Sequence, residues 1–458
     1  MMRSMYSGVS GLRAHQLKMD IIGNNIANVN TVGFKGQRVT FQEVYSQTIK
    51  GAGSPQTGRG GTNAQQVGLG ISLSSIDTFH IRGAVQRTDN NTDLAVNGDG
   101  FFLVSSSPDY LSRSFTRAGN FALDNDGNLV ASNGYKVLGF MVDPETGVLK
   151  SNLEGIKISK AEADSAKATT YSIFEGNLDN NLPKTVTTTI PVFTEATTTP
   201  IAPENLTFDK DSESKEATYQ YTDGLGGQHN IKYIFVRGLT GTGTIGEDNE
   251  WGVYAQDLDS GNYYSDAGLL GAGTDLSTIT IPIKFGADGK LDPASISKLT
   301  LTIPEKNGAD SFDVSVDFSK LTQFAGESNA AITESDGYPQ GFLDSFAIAP
   351  TGEINAVFTN GQNKIIGRIA LAVFKNPGGL EKTTENMYQI TPNSGDAIVG
   401  MPGFGGMGSI NPGTLEMSNV DISREFTDMI STQRGFQANS RIITTSDEML
   451  QELVNLKR

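Results

Sequence analysis

Two stretches of the chain carry a seven-residue apolar rhythm, and they lie at its opposite ends. Near the start, Met5, Leu12, Met19 and Ile26 recur at steps of seven, with Val9 and Ile22 beside the stripe. Near the end, Ile422, Met429, Phe436, Ile443 and Leu450 do the same, flanked by Phe426, Leu453 and Val454. A stripe sustained at this period is the pattern of a helix packed lengthwise on other helices. Either stripe alone fits an ordinary surface helix. Both together, with nearly the whole chain between them, predict one helical layer built from the two termini. Asp421 is placed to cap the second helix, and Glu425 sits in its first turn, near the positive dipole end. The first helix is weak by itself, since Gly8, Gly11 and Gly23 each cost roughly 1 kcal/mol relative to alanine. Such a segment forms when something packs against it.

Between the helices the pattern changes to short alternating runs. Residues 47–70, "QTIKGAGSPQTGRGGTNAQQVGLG", are Gly-rich and poor in apolar residues, which predicts a linker or extended arm. "LAVNGDGFFLV" (94–104) predicts two strands around a turn, and "SFTRAGNFALDNDGNLVASNGYKVLGF" (114–140) predicts strands separated by hairpin chemistry. Strand signals continue to about residue 335, including the pair "IKYIFVRG" and "EWGVYAQD" and a Thr-rich connection, "KTVTTTIPVFTEATTTPIAPENLTF". They resume from Gly337, and a flexible stretch, "GMPGFGGMGSINPG" (400–413), leads to the last helix. The expected fold class is a multidomain α+β protein. Its N- and C-terminal helices pair as a coiled-coil-like inner layer, and nested all-β domains are inserted between them. The expected parts are a helical domain (1–34 and 415–458), an arm (35–71), a β domain (72–150 and 336–414) and a further β domain nested within it (151–335).

Composition narrows the function. The 458 residues suffice for several domains, and 37% hydrophobic content is enough for real cores. The net charge of −16 argues against nucleic acid, whose phosphates need basic patches. The charge is uneven: residues 1–50 hold six Lys/Arg and two Asp/Glu, so the acid lies mainly in the middle. Cysteine is absent, which excludes disulfides, thiol catalysis and thiolate metal sites. No apolar run reaches the length of a membrane span. The first twenty residues lack the continuous apolar core of a secretory signal, so export would follow a route that cleaves none.

Candidate chemistry is sparse. "GTGTIG" (241–246) matches a dinucleotide fingerprint, but "EDNEWGVY" follows it as a strand, where that site needs a helix. "DNDGN" (124–128) starts like a calcium loop. That loop needs Gly at its sixth position and Glu at its twelfth, where this chain has Leu129 and Tyr135. The three histidines, His15, His80 and His229, belong to no hydrolase or metalloprotease motif. No catalytic, cofactor or metal site is expected, and the protein is expected not to be an enzyme.

One local pattern needs a separate account. "NNIANVNTVGFKG" (24–36) crowds Asn24, Asn25, Asn28 and Asn30 onto the end of the first helix, although asparagine competes for the backbone bonds of a helix. Asn24 and Asn28 share a face one turn apart, and each amide both donates and accepts. In the plainer account they fray the helix into a turn; only if the helix is packed among other subunits do they suit uncharged bonds to them. Gly33 permits a sharp exit, and Phe34 anchors it.

"SGVSGLRAHQLKMDIIGNNIANVNTVGFKGQ" resembles the N-terminal signature of the flagellar rod, hook and hook-associated axial family, with Asn24, Asn25, Asn28, Asn30, Gly33, Phe34 and Lys35 in its most distinctive part. "LEMSNVDISREFTDMISTQRGFQANSRIITTSDEMLQELVNL" resembles the family's C-terminal helix, and "DLAVNGDGFFLV" with the run from Ser114 resembles its adjacent β domain. The similarity covers roughly 1–150 and 337–458. Length and the large insert are similar to the members that form the curved joint between rod and filament, rather than to the shorter rod subunits. Val32 stands where many rod proteins have Pro. Some members are cross-linked through a cysteine, which this chain lacks. The resemblance implies a structural subunit that polymerises with itself into a curved, flexible tube around an export channel and passes torque from rod to filament. It implies extracellular assembly after signal-less export by the flagellar type III apparatus. The implied partners are a hook cap protein, the distal rod protein and hook–filament junction proteins, with no nucleic acid and no membrane insertion. The nearest alternative is a distal rod or hook-associated junction protein. A different class, a β-rich surface adhesin, accounts for the acidic Thr-rich middle but not for the paired terminal stripes.

Overall fold

The computed structural model describes residues 2–55, 57–143, 146–159, 163–183, 213–238, 247–259, 263–265, 268–269 and 281–456. It is mostly β, with one helix near each terminus, and divides into two compact units. Unit 1 comprises 1–159, 345–357 and 363–458, and unit 2 comprises 160–344 and 358–362.

In unit 1, α1 (Met2–Ala27) and α2 (Ile422–Asn455) pack along each other in opposite directions. The Ser4 and Ser446 hydroxyls meet at 3.5 Å, a Cβ on Gly11 would touch the Asn439 amide, and one on Gly435 would press into the His15 ring at 2.6 Å. The helix-weakening glycines therefore have a packing reason: Gly11 and Gly435 let the backbones approach more closely than any side chain allows. Asp421 caps α2 as expected, accepting from Ser423 N and Arg424 N.

The arm behaves differently from a linker. Its strands β1 (Gln37–Glu43) and β4 (Ile71–Thr78) pair antiparallel, as do β2 (Ser46–Lys50) and β3 (Gln65–Gly68). Val44 N to Gly70 O and Leu69 N to Tyr45 O continue the ladder between them. The strands of this long hairpin were illegible because β2 and β3 are exposed almost throughout, so no core imposes alternation on them.

The main sheet of unit 1 is antiparallel. It runs in the order Glu353–Phe358, Asn363–Ile369, Lys136–Met141, Phe101–Ser105, Ser114–Thr116, Met387–Gln389, Glu381–Lys382. Its core gathers Phe101, Leu103, Phe115, Leu138, Phe374 and Tyr388. The hairpin over "DNDGN" forms, with Leu129 opposite Leu123. There Asp124 accepts from Asp126 N, Asn128 N and Asn128 Nδ2, so its carboxylate serves a turn. Strands Leu94–Asn97 and Phe101–Ser105 both form, yet not as one hairpin. The first pairs with Ser409–Pro412 and the second with Ser114–Thr116. The 400–413 stretch thus contains a strand, contrary to its expected flexibility. Local glycine content hid a partner more than three hundred residues away in sequence.

Unit 2 buries one core between two sheets. Phe174, Leu301, Val316 and Phe318 come from one sheet, and Tyr233, Phe235, Trp251 and Ile283 from the other. Gln228–Arg237 and Glu250–Asp257 pair antiparallel as expected. "GTGTIG" and the Thr-rich stretch lie outside the described residues.

Candidate functional site

The α1–α2 seam has an interleaved composition. On α2 the partly buried Met429, Phe436, Ile443 and Leu450 alternate at steps of three and four with Thr432, Asn439 and Ser446. Thr432 and Ser446 are buried. The buried face of α1 is Gly8, Gly11, Ala14, Ile21, Ile22 and Asn25, while Met5, Leu12, Met19 and Ile26 are only partly covered and Val9 is 37% exposed. The seam is therefore half small and polar, which sets a close approach. Ile422 and Phe426 are exposed, as are Ile430, Ile442 and Met449. Sequence reasoning found the apolar half of the seam and missed His15, Gly435 and Asn439; the regular three-four interleaving was the available signal.

The Asn-rich segment forms a joint between α1 and the β layer. Asn28 donates to Asn24 O and Asn24 Oδ1, both at 2.9 Å, and Thr31 donates to Asn28 Oδ1 at 3.1 Å. These bonds, with Thr31 N to Asn28 O, convert the helix end into a turn. Asn25 is buried and grips both backbone groups of Gln37, donating to its O at 2.7 Å and accepting from its N at 3.0 Å. Asn30 remains exposed. Three of the four asparagines are thus occupied within the chain. Gly33 adopts φ +69°, and a Cβ there would lie 2.6 Å from Ala118 N, so only glycine fits. Phe34 is buried under the Lys382 ammonium, 4.2 Å from its ring centre.

Beneath this joint lies a buried charge cluster. The Lys35 Nζ donates to Glu416 Oε1 at 2.6 Å and to Ile81 O at 2.8 Å, and both charged side chains are fully buried. Glu416 Oε1 also accepts from Gly83 N at 3.0 Å. Arg117 Nη1 stands 3.5 Å from Glu416 Oε2, an ion pair without hydrogen-bond geometry. Burial lowers the pKa of Lys35 and of Arg117, and Glu416 opposes the shift in both. His80 packs edge-on against Phe101 and Tyr388. Burial, aided by Lys35 and Arg117, pushes its pKa down to about 4, so it is neutral near pH 7. Asn419 extends the cluster, accepting from Gly36 N and donating to Phe79 O. The strand Thr414–Glu416 pairs with Val85–Arg87 before α2 begins. Glu416, Arg117 and Asn419 were not singled out from sequence, because a lone acid among 51 carries no local signal.

This arrangement is mechanical: a close helix pair, a hydrogen-bonded turn and a buried ionic pin. Among the described residues, no group of three or more His, Asp or Glu is placed to hold a metal ion. No described helix is long and apolar enough to cross a membrane.

Comparison with known proteins gives the class. Family models match in chain order: flagella basal body rod protein (5–35), the flagellar hook protein FlgE/F/G D1 domain (95–175), the flagellar basal body protein FlaE D2 domain (177–338) and the flagellar basal body rod FlgEFG protein C-terminal region (411–456). These are domains of flagellar axial proteins. Flagellar hook protein FlgE of Borreliella burgdorferi is 39% identical over 473 residues, and that of Treponema pallidum 36% over 489, each covering 100% of both chains. Flagellar basal-body rod protein FlgG of Bacillus subtilis is 30% identical over 459 residues, again with 100% of both chains covered. The chain belongs to the flagellar hook protein family.

Proposed function

We propose that this protein is the structural subunit of a bacterial flagellar hook. In this reading it polymerises into a curved, flexible tube that encloses the export channel and transmits torque from rod to filament. The observation that carries it is the α1–α2 pair: a lengthwise seam of close approach whose outer faces still present Ile422, Phe426, Ile430, Ile442 and Met449. A helix pair with apolar flanks gains stability from further helices on either side, as in a tube wall. The helical segments 1–34 and 415–458 then form the inner layer, coiled-coil-like along its seam. The hairpin arm and the inner β domain (72–150 and 336–414) surround it, and 151–335 forms the outer domain. Export is by the flagellar type III apparatus without a cleaved signal. Assembly proceeds under a hook cap protein, on the distal rod protein, and ends at the hook–filament junction proteins. The role is structural, with no catalysis.

Electron microscopy of the concentrated, purified protein tests this reading. Curved tubes are expected. Straight rods only would favour a second reading, a distal rod protein, which the full-length similarity to a FlgG makes specific. A chain ending at Asp421 should stay monomeric, while it keeps Glu416 and Asn419 on their partners.

A further inference from the structure

The face of α1 turned away from α2 borders a groove of about 490 Å³ whose other wall is the hairpin arm. Tyr6, Val9, Arg13 and Leu17 line it from α1, and Phe41 and Leu73 from β1 and β4. It is open and mostly apolar, with Tyr6 68% and Leu73 42% exposed. Isolated exposed apolar residues need no explanation, but a continuous groove of them marks a docking surface.

The same molecule carries a matching ridge. Ile422, Phe426 and Ile430 recur every fourth residue on the first turns of α2, each 43–56% exposed, so they form one apolar row along a flank of the helix. Charges agree with the pairing: Asp421, Glu425 and Asp428 accompany the row with only Arg424 against them, while the groove wall holds Arg13. Across whole helices, α1 has three basic residues to one acidic and α2 three basic to five acidic.

We infer that the groove between α1 and the arm receives the Ile422–Phe426–Ile430 row of a second copy of this chain. The inference rests on the assembly reading above. A chain cannot fill its own groove, because its row lies at the wrong level. Gly11 sits beside Asn439, so Phe426 lies roughly a dozen residues further along the pair, or roughly 20 Å at 1.5 Å per residue. The second copy is therefore displaced along the helix axis by about that distance. Groove and row are different surfaces, so the contact is head-to-tail. Repetition leaves an unfilled groove at one end and an unused row at the other, the condition for an open helical array.

The absence of cysteine gives a clean background for testing it. Single-cysteine chains Val9→Cys and Phe426→Cys are mixed, concentrated until polymer forms, and treated with a mild oxidant or a short thiol-reactive linker. Leu73→Cys with Ile430→Cys provides a second pair should Val9→Cys fail to fold. Cross-linked dimers are expected in polymer and absent from dilute monomer, whereas Val9→Cys mixed with Ile442→Cys yields none. Preferential linkage to Ile442→Cys, or polymer with no linkage in either pair, overturns the inference and leaves the assembly reading standing. A chain that forms no polymer under any condition overturns both. Phe426→Asp, at a side chain 49% exposed in the subunit, should retain the monomer fold and lose polymer; unchanged polymer would also overturn the inference.

Discussion

Replacing Glu416 with glutamine keeps its shape and removes the carboxylate paired with two buried cations, Lys35 and Arg117. The substituted amide also turns a donor toward one of them. Breaking a buried ion pair from one side costs about 3–5 kcal/mol, because the stranded charge keeps its desolvation penalty. Set against about 5–15 kcal/mol for a whole domain, that is a large fraction of the stability of unit 1. The cluster is asymmetric, which makes the test sharp. Lys35→Met leaves Glu416 still paired with Arg117 and should cost less than Glu416→Gln. In the double variant the two losses should be less than additive, by about 0.5–3 kcal/mol.

The structure supplies its own control for this measurement. Trp251 is the single tryptophan and is fully buried in unit 2, so its fluorescence in a urea titration reports that unit. Amide exchange in peptides around Phe101–Ser105 and Leu371–Val373 reports unit 1. Glu416→Gln should lower the midpoint for the unit 1 peptides and leave the tryptophan transition in place. A loss below about 1 kcal/mol, or a greater loss from Lys35→Met, would refute the account of the pin.

Gly33→Ala should destabilise unit 1 by about 2–5 kcal/mol, combining left-handed strain with a backbone clash; refolding with an unchanged urea midpoint would contradict the geometry at Ala118. His80 has a folded pKa of about 4, below its usual 6.5. The unfolded chain therefore takes up its proton first, and unit 1 should lose up to about 3 kcal/mol as pH falls from 6.5 to 4. His80→Leu should flatten that part of the pH profile, and an identical slope in the variant would exclude His80 as its source. Several prolines in β2 and β3 remove ladder donors and should stiffen or straighten the polymer, as judged by tube curvature in micrographs.

What was legible in the sequence follows from how far each signal reaches. The terminal helices announced themselves because each seam repeats over many turns, and a period can be counted without knowing its partner. Asp421 was visible as a cap for the same reason: it acts on Ser423 and Arg424, two and three residues away. The hairpin over "DNDGN" was readable from local turn chemistry, and the paired strands around Tyr233 and Tyr254 from their β-branched and aromatic runs. The β2–β3 part of the arm was not, since a ladder exposed on both faces imposes no alternation. Nor was the pairing of Leu94–Asn97 with Ser409–Pro412, whose register is set by a segment at the other end of the chain.

The Asn-rich signature shows the limit most clearly. Its helix-ending character was evident, and Gly33 was readable as an exit. Asn24 and Asn28 bond to each other in the helix end, and Asn25 holds Gln37 across the joint, a contact that local sequence does not reveal. The missing information was Glu416, whose partner Lys35 lies 381 positions earlier. That distance is itself mechanically informative. A segment held by local bonds alone would let α1 swing at its Asn-rich turn, whereas Lys35, Gly33 and Gly36 each bond to residues 416–419 just before α2 begins. Both helices are thus rooted in one buried cluster, so force along either of them reaches the β layer through the same pin. In the proposed torque-carrying role, that common root holds both helices to one point of the β layer.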